Sequence, residues 1–119
     1  MFKKEELDRI EAVVSNLPHW EGVSWSDCDE SGRVTFTFEA ILSGNYDGTT
    51  ELFAANLDDL KAEAARYFET YDPDYETYIW LDQSGHGTRG APYHIRDILS
   101  EMEDMAAALE ELAIALNGL

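Results

Sequence analysis

The chain has 119 residues, 45% of them hydrophobic and 12% aromatic, with 25 acids against 8 bases and a net charge of −17. That is length enough for one domain with a modest core, and too much apolar content for a disordered chain. Such a charge repels phosphate backbones, so direct nucleic-acid binding is not expected. It suits contact with a basic protein surface, including one that normally holds nucleic acid, or simply confers solubility.

Cys28 is the single cysteine, which leaves no disulfide framework and no cysteine-pair zinc motif. No apolar run approaches the roughly 18 residues needed to span a membrane. The start, Met1-Phe2-Lys3-Lys4-Glu5-Glu6, lacks the apolar stretch of a signal peptide. A cytoplasmic protein is the expectation.

In chain order, residues 3–17 predict a helix, with Leu7, Ile10, Val13, Val14 and Leu17 sharing a face and Pro18 ending it. Residues 20–28 alternate only loosely, with Trp20, Val23 and Trp25 apolar. Asp29-Glu30-Ser31-Gly32 is turn chemistry, and residues 33–41 give the clearest strand, Val34, Phe36 and Phe38 alternating with Thr35, Thr37 and Glu39. The two runs predict a hairpin. After a loop at 43–48, Thr49 to Ala54 predicts a third strand that extends it to a meander.

Asn56 is placed to cap a helix over 56–71, with Asp58 and Asp59 in its first turn and Leu57, Leu60, Ala64, Tyr67, Phe68 and Tyr71 along one side. Residues 75–82 fit two patterns. Asp72 followed by Pro73, with Tyr75, Tyr78 and Ile79, favours a short helix, whereas the Tyr, Thr, Ile and Trp content favours a strand. The helix is preferred. The loop from 82 to 90 leads through Pro92 into a long amphipathic helix, with apolar residues at Ile95, Ile98, Leu99, Met102, Met105, Leu109, Leu112 and Leu116 and Asn117-Gly118 at its C-terminal cap. The predicted fold is a single α+β domain over 1–119: a short antiparallel meander of about three strands, packed by an N-terminal helix, a middle helix and the long C-terminal helix.

After Arg96 the chain has no base, yet Asp97, Glu101, Glu103, Asp104, Glu110 and Glu111 follow. Glu110 and Glu111 sit at the negative end of the helix dipole, each at a cost of about 0.3–1 kcal/mol. A solvated face on a core helix is the plain explanation. The functional one is an anionic face, Glu101, Glu103, Asp104, Glu110 and Glu111 with Asp58, Asp59 and Glu63, offered to a basic partner. The alternative is a homo-oligomer, a homodimer for instance, paired along the apolar stripe. Like charges would make that pairing antiparallel.

Gly85-His86-Gly87-Thr88-Arg89-Gly90 matches G-x-G-x-x-G before a helix, which is the pattern of backbone amides holding a phosphate. No second parallel strand follows, so a small-anion or nucleotide site at Gly85, His86, Gly87 and Arg89 is the least favoured function. His19, His86 and His94 are too scattered for a metal motif, and Asp27 and Asp29 beside Cys28 lack zinc spacing. Asn45-Tyr46-Asp47-Gly48 is too short for a calcium loop. Neighbouring acids weaken Cys28 as a nucleophile, and there is no nucleophile-elbow serine. No catalytic residue, metal or cofactor is expected. Tyr67, Tyr71, Tyr75, Tyr78 and Trp80 are expected first as core and second as a partner-binding aromatic patch.

The run Tyr71-Asp72-Pro73-Asp74, the glycine loop and Ile95-Arg96-Asp97-Ile98-Leu99 leading into an acidic Leu/Ala helix resemble small acidic proteins of unknown function encoded on bacterial plasmids, phages and other mobile elements. The likeness covers roughly residues 49–119. That group has no established activity, so the resemblance implies no catalytic residue. It implies a setting, accessory genes among which acidic inhibitors of host nucleic-acid-binding defence proteins occur.

Overall fold

The computed structural model describes residues 1–42, 48–84 and 95–119. The described elements are helices α1 (Lys4–Ser15), α2 (Leu57–Thr70), α3 (Pro73–Ser84) and α4 (Ile95–Asn117), and strands β1 (Trp20–Trp25), β2 (Val34–Ala40) and β3 (Thr49–Ala54). The strands form one antiparallel sheet in the order β1-β2-β3. This is the α+β meander expected from the sequence. Residues 75–82 lie within α3, so the sheet gains no fourth strand from them.

Local chemistry explains most boundaries. Glu6 Oε1 accepts from the Lys3 backbone N–H at 2.9 Å, which occupies a donor at the start of α1. The helix stops at Ser15, short of the expected end, as Asn16 turns its side chain back to the Ala12 carbonyl at 2.9 Å. At α2, Asn56 Oδ1 accepts from the Asp59 N–H and Asp59 Oδ2 accepts from the Ala55 N–H, both at 2.8 Å. Asp72 Oδ1 takes the Asp74 N–H at 3.0 Å with Pro73 opening α3.

The loose alternation in β1 has a specific cause. Trp20 pairs with Ala40 and Gly22 with Glu39, so Glu21 is an extra residue. This bulge shifts the parity and lets Trp20, Val23 and Trp25 all turn to the core side, although 20 and 23 differ by an odd number. The β1–β2 turn is set by Asp29, whose Oδ1 accepts from the Ser31 and Arg33 backbone N–H groups at 2.8 and 3.1 Å. Gly32 there has φ +82°, which suits a residue without Cβ. Gly48 is required for a different reason, since a Cβ on it would lie 2.7 Å from Ala40 Cβ.

The core lies on one side of the sheet. Trp20, Phe36, Phe38, Leu52 and Ala54 meet Ile10 and Val14 of α1, Leu60 and Ala64 of α2, and Met105, Leu109, Leu112 and Leu116 of α4. Trp20 is 1% exposed, stands edge-on to Phe38 at 6.2 Å, and donates its indole N–H to the Ala108 carbonyl at 2.9 Å. One hydrogen bond thus ties β1 to the middle of α4. The opposite face of the sheet carries Ser24, Thr35, Thr37, Glu39, Glu51 and Phe53, half-buried or exposed.

Candidate functional site

The eight expected contact carboxylates separate by what they touch. Asp58, Glu103, Asp104 and Glu110 are exposed. Asp59 is half-buried and completes the α2 cap. Glu63 pairs with Arg66 Nη2 at 2.8 Å, a pair that raises the arginine's pKa. Glu111 pairs with His19, and Glu101 is only 8% exposed. Glu101 therefore belongs to the inner side of α4, between Ile98 and Met105, rather than to the outer face. Gly85, His86, Gly87 and Arg89, with His94 and the loop at 43–47, lie outside the described residues.

The inner stripe of α4 is wider than a heptad seam. Ile98, Met102, Met105, Ala108, Leu109, Leu112, Ala113 and Leu116 are all buried. The outer side carries Arg96, Ser100, Glu103, Asp104, Ala107, Glu110 and Ile114, all exposed. Ile114 is 67% exposed, and it breaks an otherwise polar or small-residue surface.

Along one shoulder of α4 runs a groove of about 470 Å³, lined by His19, Ile41, Leu42, Asp104, Ala107, Ala108 and Glu111. Three parts of the chain build it. Pro18 and the start of β1 deliver His19; the end of β2 delivers Ile41, whose N–H bonds the His19 carbonyl at 2.8 Å. The small side chains of Ala107 and Ala108 leave the floor open. Ile41, 53% exposed, is one wall. At one end, His19 Nδ1 lies 2.6 Å from Glu111 Oε2, and the His19 N–H reaches Oε1 at 3.4 Å. At the other end stands Asp104, seven residues from Glu111 and so about 10 Å along the helix at ~1.5 Å per residue. Chemically this is an apolar trough with a carboxylate at each end.

Sequence reasoning singled out Glu111 as a surface acid and His19 as a scattered histidine, and missed that they meet. They are 92 residues apart, and no local pattern joins them.

The aromatic cluster divides. Tyr67 and Tyr71 stand 6.2 Å apart and are half-buried, with the Tyr71 hydroxyl 3.4 Å from Met102 Sδ. Tyr75 and Tyr78 are 59% and 66% exposed on α3. Cys28 is exposed, and among the described residues no group of three or more His, Cys, Asp or Glu could hold a metal ion. Among the same residues no helix is long and apolar enough to cross a membrane.

Compared with protein-family models, curated proteins and solved structures, the chain has no significant match.

Proposed function

We propose that this protein is a non-enzymatic binding domain whose partner is a basic protein surface, met chiefly by the outer side of α4. The observation that carries the reading is the contrast between the two sides of that helix. Its inner apolar stripe, from Ile98 to Leu116, is buried within one chain, whereas Glu103, Asp104 and Glu110 face solvent on a segment with no Lys or Arg after Arg96. Charge complementarity of this kind speeds encounter and weakens with salt.

A surface that ordinarily holds nucleic acid is the partner class with the most to gain from such a face. The domain would then act as a backbone mimic that occupies the surface, an accessory role in keeping with the mobile-element setting and a cytoplasmic location. The alternative, a homo-oligomer paired along the C-terminal apolar stripe, draws no support from the arrangement, because Met102, Met105, Leu109, Leu112 and Leu116 are already buried in the fold.

The test is affinity capture at low salt from a bacterial extract, followed by reconstitution with the purified partner. A basic partner that is released by salt and displaced by duplex DNA is the expected result. Retention of no basic protein at low salt would sink the reading.

A further inference from the structure

We infer that the groove beside α4 is the subsite for an arginine side chain of the basic partner. This rests on the binding function proposed above and adds to it a specific point of contact. The argument is one of matched chemistry. An arginine has an apolar stem and a planar cationic head. The groove has Ile41 and Leu42 on one wall, Ala107 and Ala108 on its floor, and carboxylates at its ends. Asp104 is exposed, so both of its oxygens can take a guanidinium in the paired geometry that favours arginine over lysine. Glu111 is already fixed through Oε2 by His19 Nδ1 and adds negative field at the far end. Its partial burial keeps that charge close to the trough.

The fit depends on the small floor. Any larger residue at 107 would fill the space that the stem needs while leaving every charge in place. Ala107 is exposed on the outer side of α4, so such a change does not disturb the core.

The probe is a hexa-arginine peptide, titrated into the full chain with affinity and NMR shifts read together. The peptide is expected to shift the signals of Ile41, Ala107 and the Trp20 indole, which lies against Ala108 beneath the groove. Ala107→Leu is expected to weaken binding about tenfold. Glu51→Gln, a loss of one charge on the far face of the sheet, is expected to change it less than about twofold. If the peptide binds in a salt-sensitive way but Ala107→Leu binds equally well and the shifts map elsewhere, the subsite is wrong and the acidic-face function stands. If hexa-lysine binds as tightly with the same dependence on Ala107, the assignment to arginine is wrong. If neither peptide binds at low salt, the binding function itself falls with the subsite.

Discussion

Asp29 in the β1–β2 turn and Asp104 on the outer side of α4 are both exposed carboxylates, but only the first is tied into the fold. Asp29 accepts from the Ser31 hydroxyl and from two backbone N–H groups, and these bonds, with the Ser31 hydroxyl foremost, hold its carboxyl below the usual range. Asp104 lines a groove. The same division runs through the chain. Glu6, Asp59 and Asp72 cap helices, Glu63 pairs with the Arg66 guanidinium, and Glu111 is held by the His19 ring. Glu103, Asp104 and Glu110 stand exposed with no comparable duty. A strongly acidic composition is therefore two populations: acids that fold the chain, and acids that the fold does not need.

The comparison can be broken at its foundation first. Leu112 is 1% exposed and holds the inner side of α4 in the core. Leu112→Ala is expected to cost about 2–5 kcal/mol in chemical denaturation. A loss near zero would mean that the inner side is not committed to the monomer, and the self-pairing alternative would return. Next in size is Trp20→Phe, which removes the indole donor from the Ala108 carbonyl and trims a packed ring, at about 1–3 kcal/mol.

Asp29→Ala sharpens the contrast through pH. The folded carboxyl has a lowered pKa, so its contribution is present above the unfolded value, about 3.9 for Asp, and is lost as pH falls through the folded one. The variant should be less stable than the parent at neutral pH, and the gap should narrow in acid; a gap independent of pH would remove the ionic part of the argument. The smallest effect is expected at Glu110→Gln. Relief of a like sign near the negative end of α4 should raise stability by about 0.5 kcal/mol or less, checked by the same unfolding curves.

Much of this architecture was legible in the sequence wherever local periodicity and capping chemistry decide the outcome. The alternation from Val34 to Glu39, the Asn56 cap and the spacing of Met102, Met105, Leu109, Leu112 and Leu116 each specify their element without help from elsewhere. β1 was harder because the Glu21 bulge switches the parity that a strand reading depends on. α3 was ambiguous because the spacing of Tyr75, Tyr78 and Ile79 favours a helix while the Tyr, Thr, Ile and Trp content favours a strand. Tyr75 and Tyr78 stay exposed, so burial adds no pattern that decides between them.

The site was less legible than the fold. The acidic run after Arg96 places Glu101 with the outer acids, but its spacing, three after Ile98 and four before Met105, puts it on the inner side, where it is buried. The groove had no such signal. It exists because Pro18-His19 and Ile41-Leu42 converge on the two alanines of α4, and sequence spacing does not encode a meeting across the chain.

The most direct test neutralises the outer carboxylates together. Glu103→Gln/Asp104→Asn/Glu110→Gln should unfold at the parent's denaturant concentration or slightly above it, while its affinity for hexa-arginine at low salt falls about tenfold or more. Unchanged affinity, or a fold that collapses when these three charges are removed, would contradict the claim that they serve a partner and not the structure.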